Sequence, residues 1–89
     1  MKFEFDLKKS VSNKKKHGLD FMDGQTLWED PERLEVPART DGEPRYILIA
    51  KLRGKTWSAG FTIRDENIRI ISISQSRTKE IHAYENENI

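Results

Sequence analysis

Turn signals cut the middle of this chain into short extended pieces, and that leaves few folds open. Asp41-Gly42, Arg53-Gly54 and Asp65-Glu66-Asn67 separate segments 33–40, 45–52, 55–64 and 68–74. The last three are rich in Ile, Leu, Phe, Tyr or Trp, the residues that favour strands, and tight connections join antiparallel neighbours. Pro37 lacks an amide hydrogen and so belongs at a sheet edge.

The flanks read differently. Residues 2–6 alternate, with Phe3 and Phe5 on one side, as a short strand would. Asp6 can cap a helix that runs to about His17 and stops at Gly18, the usual left-handed terminator. Lys14, Lys15 and Lys16 then stand in its last turn, at the negative end of the helix dipole. Asp20 can cap a second helix, with Phe21, Gly24, Leu27 and Trp28 at helical spacing and Asp30-Pro31 as its stop. Residues 78–87 read as a last helix carrying Ile81 and Tyr84. The order is β-α-α-β-β-β-β-α, and a chain of 89 residues suffices for one small domain, 1–89. To bury anything, its helices must pack on one face of a twisted antiparallel sheet, which makes the fold α+β.

Charged residues make up 35% of the chain, yet the formal net charge is only +1. The whole-molecule basic field of many nucleic-acid binders is absent. The charges are segregated instead: Lys8, Lys9, Lys14, Lys15, Lys16 and His17 come first, then Asp20, Asp23, Glu29, Asp30 and Glu32. Such runs also suit a solvated basic helix followed by an acidic one. Cysteine is absent, which removes disulfides and thiolate metal sites and suits a reducing compartment. No apolar run is long enough for a membrane helix and no signal peptide is evident, so a soluble cytoplasmic protein is expected. There is no P-loop, dinucleotide-binding glycine pattern or nucleophile elbow.

Alternation in 55–64 puts Trp57, Ala59, Phe61 and Ile63 on one side and Ser58, Gly60, Thr62 and Arg64 on the other. In 68–74 it groups Arg69 with Ile71 and Ile73, and Ser72 and Ser74 with Ile68 and Ile70. Thr62, Arg64, Ser72 and Ser74 can then converge on a polar face, although a one-residue slip would reverse the assignment. His17 can exchange a proton near neutral pH as a general acid or base, or serve only as a cation at a helix end. His82 reads as a surface residue. Lys51, Arg53 and Lys55 at a hairpin tip could meet phosphates or keep a sheet edge soluble. Trp28 and Trp57 read as core.

Several of these pieces occur in an order that resembles the BrnT family of bacterial toxins, small ribonucleases of type II toxin–antitoxin pairs. The resemblance covers nearly the whole chain. It comprises Phe5, Asn13, Lys16-His17-Gly18 and Phe21, then Asp30-Pro31 and Gly42-Glu43-x-Arg45-Tyr46. It continues through Phe61-Thr62-x-Arg64, Ile68-Arg69-Ile70-Ile71-Ser72, Glu80 and Tyr84. It implies a RelE-like fold and RNA cleavage without metal or other cofactor, with arrest of translation. It also implies a BrnA-type antitoxin carrying a ribbon-helix-helix DNA-binding module, a toxin–antitoxin heterotetramer, and DNA contact only through the antitoxin. On this basis Arg64 is the preferred transition-state cation and Arg69 the second, with His17 and Glu80 as acid–base candidates. Lys16, Thr62, Ser72, Ser74 and Arg77 are candidate RNA contacts. Relatives commonly carry arginine just after the position of Ser72, where this chain has Ser74 and Gln75. That departure implies either a substitute arginine, Arg77 or Arg64, or a weakened nuclease kept as antitoxin partner and co-repressor.

Overall fold

A computed structural model describes residues 2–39 and 41–87. Its strands are β1 (Phe3–Glu4), β2 (Leu34–Ala38), β3 (Arg45–Leu52), β4 (Lys55–Arg64) and β5 (Asn67–Gln75). Two α-helices, α1 (Leu7–His17) and α2 (Thr78–Glu87), flank a 3-10 helix, Asp23–Glu29. Thr40, at the end of the strand expected over 33–40, lies outside the described residues. The sheet order is β1-β5-β4-β3-β2, so Pro37 does lie on an edge strand. Arg53-Gly54 and Asp65-Glu66 each carry two positive φ angles, the geometry of the two-residue hairpin turn that matches strand twist.

Three expectations need correction. The sheet is mixed, because β1 runs parallel to β5, with Phe3 opposite Ile68 and Glu4 opposite Arg69. Tight turns force antiparallel pairing, but β1 reaches the sheet through a long connection that contains helices, and such a connection leaves direction free. The second helix is 3-10 rather than α. Its ends close with short-range bonds, Gln25 N–H to Met22 O and Asp30 N–H to Leu27 O, both 3.3 Å. The Asp20 carboxylate does accept an amide there, from Asp23 at 2.8 Å.

The third correction concerns faces. Leu19, Phe21 and Leu27 pack on one side of the sheet against Leu48, Ala59, Phe61 and Ile73, and Trp57 and Trp28 join that core as expected. α2 covers the other side instead. Ile49, which alternates with Leu48, is 2% exposed, Tyr84 is buried outside the main core cluster, and α2 packs on β3. The reason is that β3 is apolar on both sides, Ile47 and Ile49 needing cover as much as Leu48 and Ala50. On β4 and β5 the second side is Ser, Thr and Gly and needs none.

A bulge decides the rest. Gly60 faces Ser72, but Phe61 faces Ile70, leaving Ile71 unmatched in β5. An extra residue inverts alternation beyond it. Ile68 and Ile70 therefore join Ile73 in the core, and Arg69 joins Ser72 and Ser74 on the polar face, contrary to the strict period-two assignment. Ile63, expected inward, is 45% exposed near its strand end.

Candidate functional site

The end of α1 is held in place by one buried amide. Asn13 donates from Nδ2 to Leu19 O at 2.7 Å and to Ile73 O at 2.8 Å, and its Oδ1 accepts Ile73 N–H at 3.3 Å. β1 pairs with β5 only at Ile68 and Arg69, so the outer edge of β5 is open at Ile73, and Asn13 supplies the bonds a neighbouring strand would have made. Ser10 adds a second tie, its Oγ accepting Phe21 N–H at 2.9 Å. One turn after Asn13 the helix stops. Gly18 has φ +88° and donates its N–H to Lys14 O at 2.9 Å, a termination that costs glycine little.

This stop leaves Lys16 and His17 exposed beside the end of β5. A cleft of about 360 Å³ is lined by Lys16, His17, Ser74, Gln75 and Arg77. A neighbouring hollow of about 300 Å³ shares His17 and Gln75 and adds Arg53 and Lys55 from the β3–β4 hairpin tip. Antiparallel pairing explains the meeting, since Trp57 near that tip lies opposite Gln75. The cleft therefore gathers two cations, an imidazole and two neutral hydrogen-bonding side chains, with no carboxylate in its lining. Such a lining suits a phosphate diester, which needs charge compensation and one group able to move a proton.

The remaining candidates lie elsewhere. Glu80 accepts Arg77 N–H at 2.8 Å, closing the first turn of α2 as a capping side chain rather than facing the cleft. Thr62 is 1% exposed and donates to Pro44 O at 2.5 Å, so its expected contact with RNA gives way to a structural bond. Arg64 reaches Glu43 with Nη2 at 2.8 and 3.1 Å and Nε at 3.3 Å, and that hydrogen bond and charge hold its pKa above the ordinary arginine value. Arg69 lies 3.7 Å from Glu4. Six residues of β4 separate Ser58, opposite Ser74, from Arg64, opposite Asn67, which is roughly 20 Å of strand. Lys16, His17, Ser74 and Arg77 come together. Arg64 and Arg69 do not join them, and Ser72 lies between, exposed beside Gly60.

One participant, Asn13, escaped sequence reasoning in its structural role. Asn13 carries no local signal of its buried role, because its partners are Leu19 and a residue 60 positions away. Gln75 enters the cleft by closing β5, and Arg53 and Lys55 could have been placed beside it from the hairpin register alone.

Residues 5–80 match a family model described as the ribonuclease toxin, BrnT, of type II toxin–antitoxin systems. No curated protein gives a significant match to the chain. No helix among the described residues is long and apolar enough to cross a membrane.

Proposed function

The chain belongs to the BrnT family of ribonuclease toxins of type II toxin–antitoxin systems, and from that premise we propose that it is an endoribonuclease acting at the cleft between α1 and the end of β5. The observation that carries this is the cleft's lining: Lys16, His17 and Arg77 together, with no carboxylate among them. His17 takes the proton of an RNA 2′-hydroxyl, whose oxygen then attacks the adjacent phosphorus. Arg77 and Lys16 offset the charge that builds on the phosphorane. The P–O5′ bond breaks, leaving a 2′,3′-cyclic phosphate, and solvent protonates the departing 5′-oxygen at this open site. No cofactor enters any step.

Arrest of translation, a BrnA-type antitoxin with a ribbon-helix-helix module, a heterotetramer and a RelE-like arrangement of the single domain extend the same proposal. The family match and an α+β sheet with helices on both sides support it. A second reading keeps the fold but not the rate: Ser74 and Gln75 both line the cleft where the family resemblance implies arginine, and a weakened enzyme would still serve as antitoxin partner and co-repressor.

Cleavage of a defined RNA by the purified chain tests both. With Arg77→Ala the rate should fall on the order of 100-fold, the usual loss for one charge-stabilising donor, and with Arg64→Ala by less than about 10-fold. The opposite order would move the site to the Arg64 end of the sheet. No cleavage by the folded, unsubstituted chain would leave the co-repressor reading.

A further inference from the structure

Four large apolar side chains are exposed among the described residues, and three of them meet in one groove. Leu7 is 72% exposed, Val11 56% and Met22 62%. With Phe5 they line a concavity of about 380 Å³ between α1 and the segment that follows it. Leu7 and Val11 stand one helical turn apart, so they form a ridge of the kind that packs between the side chains of a second helix. Lys14 and Lys15 continue along the same groove. Asp20 is also there, but its single negative charge is outnumbered by the two lysines, which leaves the rim with a cationic character. None of these residues lines the cleft that holds His17 and Arg77.

Exposed apolar residues scattered singly need no explanation, whereas three in one hollow rimmed by charge mark a contact surface. A membrane-seeking helix presents a convex apolar stripe. Here the apolar atoms line a concave site shared by two segments, which fits an inserted side-chain ridge better than a lipid surface. We infer that this groove receives an amphipathic helix of the antitoxin, with two apolar residues one turn apart and acidic residues beside them to meet Lys14 and Lys15. This rests on the toxin–antitoxin reading above and adds to it the docking surface and the chemistry of the segment that docks. Because the groove and the cleft share no residue, the antitoxin would hold the toxin from a face distinct from the catalytic one.

The test uses a purified BrnA-type antitoxin as the probe and measures its affinity for the intact chain and for Leu7→Asp, Val11→Asp and Met22→Asp. All three positions are exposed and lie on two segments, so a variant that fails to fold leaves the others to decide. Folding is read by thermal unfolding and RNA cleavage by the assay above. At least two folded variants should bind the antitoxin about 10-fold or more weaker, the scale of a well-packed interface anchor, with cleavage unchanged. Lys15→Glu should weaken binding in low salt. Binding within 10-fold of the unsubstituted chain for every folded variant would overturn the proposal. So would unchanged antitoxin binding combined with loss of self-association, or with loss of binding to phosphatidylserine vesicles, because the groove would then serve a second copy or a membrane. If the unsubstituted chain cleaves no RNA while the variants lose the antitoxin, the nuclease reading fails and the docking surface stands.

Discussion

Asn13 and Ser74 illustrate how much a single side chain decides at this site. Asn13 uses both donors and its acceptor in a buried position, so substitution cannot be neutral. Asn13→Asp would turn a carboxylate toward two carbonyl oxygens, and Asn13→Ala would leave buried groups unpaired. Each should cost at least about 2 kcal/mol, with the aspartate variant the worse, as urea midpoints would reveal. In whatever fraction stays folded, cleavage should also fall, since α1 would no longer be pinned one turn before His17. Ser74 offers the reverse opportunity. It is half-buried in the lining of the cleft, and a guanidinium there could contact two phosphate oxygens where a hydroxyl gives one neutral bond. Ser74→Arg should therefore raise the cleavage rate above that of the chain as it stands. Equal or lower rates at matched folded concentration would mean that Arg77 already supplies the charge.

Among the elements, the 3-10 helix is where local preference yields to packing. Leu27 and Trp28 recur at helical spacing, yet the segment forms a 3-10 helix in which Gly24 lies close against Ile73 of β5. A Cβ on Gly24 would overlap Ile73 Cδ1. Gly24→Ala should thus destabilise the domain by about 1–3 kcal/mol through overpacking, despite alanine's better helix propensity. Chemical denaturation checks the sign, and a stabilised variant would show that Ile73 can move aside. The bulge at Ile71 is the second such element. It turns three isoleucines of β5 inward across a break in parity and delivers Arg69 to the polar face, where it stands near Glu4 instead of in the core.

Asp30 joins the whole molecule together. Its carboxylate accepts Lys51 N–H at 2.9 Å from β3, Glu32 N–H at 2.9 Å from its own turn and the Tyr84 hydroxyl at 2.7 Å from α2. One side chain thereby links the layer carrying the 3-10 helix, the sheet and the helix on the opposite face. Burial alone would raise its pKa, but the accepted bonds prevail and lower it below the ordinary 3.8. A lowered carboxylate favours the folded state above its unfolded pKa, and that contribution disappears as pH falls through the folded value. Stability should accordingly drop as pH goes below about 4, and less so in Asp30→Asn, which starts weaker because an amide cannot accept all three bonds. Tyr84 moves the other way: burial first, then the Asp30 hydrogen bond and charge, push its phenol up to about 12. Its contribution is complete below pH 10 and should be lost as pH rises toward 12. Tyr84→Phe should remove that alkaline slope in a thermal-unfolding series, and an unchanged slope would assign it to another group.

Much of this was legible in the chain because the signals are local. β3, β4 and α2 form at the expected bounds, Asp6 caps α1 and Gly18 ends it, since turn chemistry and capping depend on a few adjacent residues. The cleft residues Lys16, His17, Ser74 and Arg77 were nameable from side-chain chemistry together with the family resemblance. Their grouping was not, and neither was the exclusion of Arg64, Glu80 and Thr62. Those followed from a bulge that inverts parity, from Asn13 bonding across 60 residues and from two helices settling on opposite faces. Each of these depends on contacts made only after the chain has closed on itself. Sequence alone determined where α1, β3, β4 and α2 begin and end, because backbone preference acts within a turn. Tertiary structure decided which face each side chain shares, because register and edge bonding are set by neighbours distant in the chain.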